Sequence, residues 1–105
     1  MATLIEDECF IGTEKKYVIR ITSTGFSMDD DDFEVTIKRG ANSLVFRKED
    51  MIQDEENNWY ITFNTTELGV GVATMTVVAH VPDTDFPDGI RDEVDKFNFL
   101  RIKSV

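Results

Sequence analysis

Cysteine occurs once in this 105-residue chain, histidine once and proline twice, and there are only 11 lysines and arginines to set against 21 acids. Each shortage excludes something. A lone Cys9 rules out an internal disulfide, and with no histidine or base beside it to activate the thiol it reads as a small buried or half-buried hydrophobe. The single histidine, His80, alternates with Thr74, Thr76 and Val78 on the more polar side of its segment. That position suits a surface imidazole rather than a catalytic base, and no Ser or Cys nucleophile motif accompanies it. Phosphate-cradling loops are missing too, because Gly69-Val70-Gly71 has neither a third glycine nor a helix to follow it. No apolar run approaches the ~20 residues of a membrane-spanning helix. The opening MATLIEDECF lacks a basic region and a long apolar stretch, so the chain is expected to be made in a bacterial cytoplasm and not exported by a signal peptide. The scarcity of bases leaves a net charge of −10, which argues against nucleic acid or an anionic membrane as partner. Copies of such a chain repel unless their acids point away from any shared interface.

What is present is alternation. Trp59, Ile61 and Phe63 alternate with Tyr60, Thr62 and Asn64, and further on Ala73, Met75, Val77, Ala79 and Val81 alternate with Thr74, Thr76, Val78 and His80. Two half-buried strands are expected there. The connection Thr65-Thr66-Glu67-Leu68-Gly69-Val70-Gly71 is too long for a tight hairpin. It suits a crossover between sheets in which Leu68 plugs the core and the glycines take backbone angles that other residues resist. Upstream, Tyr17, Ile19 and Ile21 mark a strand over about residues 16–23, and Phe33, Val35 and Ile37 mark another that turns at Gly40 into a hairpin partner starting at Leu44. Met51 and Ile52 are expected to anchor the segment that follows. Pro82 and Pro87 interrupt pairing after Val81, and Asp88-Gly89 closes a turn.

The last segment, residues 90–103, fits no single period: Val94, Phe97, Phe99, Leu100 and Ile102 cannot share one face. A β-bulge near residues 96–98 would place Val94, Leu100 and Ile102 on one face and Phe97 with Phe99 on the other. A helix over 88–98 fits less well because its apolar positions are too sparse. Six or seven short strands without an amphipathic helix predict an all-β fold, an immunoglobulin-like antiparallel β-sandwich of about seven strands. Residues 1–105 form one domain, with residues 1–13 as a candidate interface arm carrying Phe10 and Ile11.

Few constellations carry chemistry. Asp83, Asp85 and Asp88 have part of the spacing of a calcium loop, but Pro87 and Asp88 stand where an EF-hand needs an oxygen donor and glycine. A solvated turn is the better reading, and calcium is kept only as an alternative. Asp29, Asp30, Asp31 and Asp32 are consecutive, so their side chains diverge and cannot all face one ion. With no cofactor motif and little cleft expected, an enzyme is disfavoured. The remaining clue is aromatic and aliphatic exposure. Phe26, Phe86, Phe97 and Phe99 lie in loops or opposite the expected core, and Tyr60 and Val78 take outward positions. With the arm residues they make a protein interface the expected site.

The run NWYITFNTTELGVGVATMTVVAHVPDTDFPDGIR, with FEVTIKRG before it, resembles immunoglobulin-like domains of tailed-phage virion proteins. The resemblance lies in the Leu-Gly-x-Gly crossover, the following strand ending in Val-Pro-Asp, and the Pro-Asp-Gly turn. It is nearest to the N-terminal domain of baseplate upper proteins and to similar domains in phages of gut Bacteroidales, including crAss-like phages. It implies a non-enzymatic virion component that packs against itself or other virion structural proteins in the tail, collar, baseplate or head-fibre region. The chain ends at Val105, directly after its last strand, where such proteins often continue into fibre sequence; an adaptor, decoration or connector subunit is therefore expected. The alternative from another class is a calcium- or carbohydrate-binding sandwich module of a bacterial surface protein.

Overall fold

Eight strands and two short 3-10 turns make up the structure, a computed structural model that describes residues 7–105. The strands are β1 (Asp7–Phe10), β2 (Glu14–Ile19), β3 (Asp32–Arg39), β4 (Asn42–Arg47), β5 (Ile52–Gln53), β6 (Trp59–Asn64), β7 (Gly71–Pro82) and β8 (Ile90–Lys103). They form a five-stranded sheet in the order β1-β8-β7-β3-β4 and a three-stranded sheet in the order β2-β6-β5. The small sheet reproduces the B-E-D order of an immunoglobulin domain, and β8-β7-β3 with β4 beside it reproduces G-F-C extended by the extra strand of variable domains. The fold is an all-β immunoglobulin-like sandwich. Every pairing is antiparallel among the described residues except that of β1 with β8.

The period-two pattern of the sequence becomes burial almost residue for residue. Phe33, Val35 and Ile37 of β3 face inward against Ala79, Val77 and Met75 of β7, while Ile61 and Phe63 of β6 close the core from the other sheet. Trp59 packs its ring edge-on against Phe33 at 5.7 Å. Between the sheets, Leu68 is fully buried, and its carbonyl accepts hydrogen bonds from Arg39 Nε (2.8 Å) and Asn42 Nδ2 (2.9 Å). Gly69 and Gly71 lie at φ +90° and +137°, and a Cβ on either would meet the Arg39 side chain within 3 Å. The crossover therefore works as its residues suggest: an apolar plug, held by a base from β3 and followed by two positions that resist side chains.

β8 departs from expectation. Its register against β7 shifts between Ala73, opposite Leu100, and Thr74, opposite Asn98, so Phe99 is the extra residue. Being the bulged residue lets Phe99 turn inward beside Leu100. It is 7% exposed, edge-on to Tyr17 at 5.2 Å and against Phe63 at 6.4 Å. Phe97, Phe99, Leu100 and Ile102 thus share the core side, and Val94, 64% exposed, points out. The grouping of Val94 with Leu100 and Ile102, and the outward placement of Phe97 and Phe99, are corrected accordingly. Met51 is a buried anchor as expected, whereas Ile52 is exposed.

The expected interface arm is corrected in part. Its residues 1–6 lie outside the described residues. From Asp7 onward it is a strand of the chain's own sheet, with Cys9 and Ile11 packed on the core. Asp7 ties this strand to β2, since its Oδ2 accepts from the Tyr17 hydroxyl (2.9 Å) and from Lys15 Nζ (2.6 Å). The Lys15 hydrogen bond, then the Tyr17 hydroxyl, hold the Asp7 carboxyl below its usual range, while burial and the neighbouring carboxylate push the Tyr17 phenol up. A depressed carboxyl contributes stability above its unfolded pKa of about 4 and loses it as the pH falls through the folded value. Asp7→Asn is therefore expected to lower the urea midpoint modestly at neutral pH, because the group is partly in water. The variant and the parent should converge at about pH 2.

Candidate interaction surface

The acidic loops are committed to their own backbone. Asp83 Oδ1 accepts the Asp85 amide (3.0 Å), its Oδ2 pairs with Arg91, and Asp88 Oδ1 accepts the Ile90 amide (3.3 Å). The Asp85 amide, followed by the Arg91 guanidinium, lowers the Asp83 pKa. Asp83 and Asp88 thus cap a turn, to which Asp85 lends its amide, and which is closed by the Asp83 amide on the Gly89 carbonyl (2.9 Å). Asp31 likewise caps the Ser27 amide (2.8 Å), Asp32 takes the Phe33 amide (3.0 Å), and Asp29 accepts from Gln53 (3.1 Å). No three potential metal ligands converge among the described residues. Adding calcium is expected to give no heat of binding and no rise in melting temperature, since it would have to displace Arg91 and the amides. A calcium-dependent rise would restore the metal reading.

The remaining candidates separate by exposure. Phe10 and Phe86 are exposed; Tyr60 and Val78 are half-buried; Ile11, Phe26 and Phe97 lie against the core; and Phe99 is inside it. His80 is on the outer face of the large sheet, as its alternation indicated, with Nδ1 2.6 Å from Asp92 Oδ1. Phe26 packs edge-on to Phe33 at 6.2 Å, so its loop covers the core rather than offering a free ring.

Strand pairing assembles a cluster that the linear chain conceals. Val18 of β2 stands opposite Tyr60 of β6, which stands opposite Ile52 of β5, forming a row across all three strands of the small sheet. Val18 is 53% and Ile52 48% exposed. Lys16, next along the same face, holds its ammonium 4.1 Å from the centre of the Tyr60 ring. An apolar bar with a base over it is thus presented outward by a chain of net charge −10. The large sheet has a shorter counterpart, Val78 paired with Val94, flanked by Glu34, His80 and Asp92.

Of these residues, only Tyr60 and Val78 stood out as interface candidates from the sequence pattern. Alternation does place Val18 opposite the inward Tyr17 and Ile19, and that is the one signal that could have found it. Ile52 becomes its neighbour only through the β5–β6 register. No helix among the described residues is long and apolar enough to cross a membrane. No protein-family model matches the chain, and no curated protein or solved structure was found to resemble it significantly.

Proposed function

We propose that this chain is a structural subunit of a tailed-phage particle, an immunoglobulin-like adaptor, decoration or connector piece that works through protein contacts and performs no catalysis. The observation that carries the reading is the Val18–Tyr60–Ile52 row, an apolar bar on the outer face of a folded sheet where a self-sufficient domain places polar residues. The phage-like crossover and turns described above supply the virion context.

The mechanism is burial at an interface. Each Å² of apolar surface taken from water contributes roughly 25 cal/mol, before the costs of association. The acidic loops stay in solvent and repel misplaced copies, so that only contacts aligning the small sheet with a complementary face persist. Lys16 adds a preference for an acidic rim on the partner.

Val18→Asp combined with Ile52→Asp is expected to leave the melting temperature of the isolated chain within a few degrees of the parent, because both residues are surface positions. The same variant is expected to be lost from assembled particles in a complementation assay. Normal incorporation of the folded variant would remove this surface from the account.

A further inference from the structure

β4 is the last strand of the large sheet, and no strand lies along its free edge among the described residues. A strand added there would stand five strand spacings from β1, roughly 24 Å. That is beyond the roughly 22 Å that the six residues ahead of Asp7 can span, so the edge is out of their reach.

The hairpin fixes which main-chain groups this edge presents. Gly40, at φ +57°, and Ala41 make a two-residue turn, so Arg39 and Asn42 form a hydrogen-bonded pair and the bonds to β3 recur at Leu44 and Phe46. Ser43, Val45 and Arg47 therefore turn their amides and carbonyls outward. The Arg47 amide is taken by Asp50 Oδ2 at 3.0 Å. Those of Ser43 and Val45 have no partner among the described residues.

Charge indicates what fits there. Residues 35–48 carry four of the eleven bases and no acid. Arg39 donates to the Leu68 carbonyl and Lys48 to the carbonyls of Asp29 and Asp31. Lys38 and Arg47 are exposed and make no ion pair among the described residues, although Glu34 stands opposite Arg47. Because Lys38 stands opposite Ser43, the two bases bracket the exposed Val45. Edge-to-edge pairing of two copies would bring these bases together, which opposes it; an acidic strand is drawn in instead.

We propose that residues 43–47 accept an extended segment of another polypeptide as a sixth strand of the large sheet, a segment with an acid at each end of three apolar residues. The central residue lies beside Val45 on the outer face, and its two neighbours lie against the half-buried Leu44 and Phe46. The terminal carboxylates meet Arg47 at one end and Lys38, across Ser43, at the other. Main-chain bonds form at Ser43 and Val45. This site is separate from the Val18–Tyr60–Ile52 row and does not depend on the virion reading.

Titration of the full chain with the synthetic peptide Ser-Glu-Val-Ile-Val-Glu-Ser, followed by amide chemical shifts, tests it. The Ser43 and Val45 amides are expected to shift most. At low salt this peptide is expected to bind about tenfold more tightly than its counterpart with lysine in place of glutamate. Lys38→Glu combined with Arg47→Glu is expected to reverse that preference, since both are surface substitutions that leave the β3–β4 bonds in place. Val45→Pro removes an outward amide and no bond to β3, and should weaken binding roughly tenfold or more. The charge reversal decides the matter even if the proline variant fails to fold. Absence of shifts at Ser43 and Val45, equal affinity for the two peptides, or an unchanged preference in the charge-reversed chain would overturn the proposal. Shifts at Ser43 and Val45 that grow with protein concentration in the absence of peptide would also overturn it, by giving the edge to a second copy.

Discussion

Leu68→Ala is expected to destabilise the domain by about 3–5 kcal/mol, at the upper end of the range for a buried leucine. The size of the loss depends on how far the surroundings collapse into the cavity, and here they are held. The Leu68 carbonyl is fixed by Arg39 and Asn42, and Gly69 and Gly71 lie in conformations already closed over by the Arg39 side chain. Just upstream, the buried Thr65 hydroxyl donates to the Thr13 carbonyl (3.0 Å) and accepts from the Gly12 amide (3.0 Å), pinning the other end of the crossover to the β1–β2 turn. Urea denaturation reads the loss as a lowered midpoint with an unchanged slope. A volume-conserving Leu68→Met should cost less than about 1.5 kcal/mol. A loss below about 1.5 kcal/mol for the alanine variant would mean that the crossover is not the rigid plug described.

Phe99→Ala is expected to cost about 3–5 kcal/mol, whereas Val94→Ala should stay within about 0.5 kcal/mol of the parent. The contrast follows from the bulge. Phe99 sits in an aromatic cluster with Tyr17 and Phe63, while Val94 lies on the outer face opposite Val78. The same denaturation measurements decide it, and the reverse ranking would restore the grouping suggested by simple alternation.

These two positions also show what a linear reading could and could not reach. Leu68 was legible because an apolar residue between two strands, beside glycines, has few uses other than a plug. The strands β3, β6 and β7 were legible because each buries one face and exposes the other, which period two records directly. Phe99 was not legible: a bulge fits at any of several residues here, and its exact position decides which of the residues around 97–99 turn inward. The position of Phe99 was settled by partners on β2 and β6, which are about 80 and 36 residues away in the chain.

The surface was harder still. Alternation separates inner from outer residues within a strand, but an outer apolar residue alone carries little meaning. Val18 and Ile52 gain significance only through their common neighbour Tyr60, and that depends on two strand registers. Several aromatics that looked available, Phe26, Phe97 and Phe99, are instead used by the domain itself. The interface reading thus moves from loop and β8 aromatics to the face of the small sheet.

Quantitative mass spectrometry of any phage particles gradient-purified from cells that express this chain tests the proposed virion role most directly. The expected result is that the chain sediments with capsid and tail proteins at a fixed ratio to them, and that the Val18→Asp, Ile52→Asp chain does not. Recovery of the parent chain only in the soluble fraction, with particles free of it, would contradict the account.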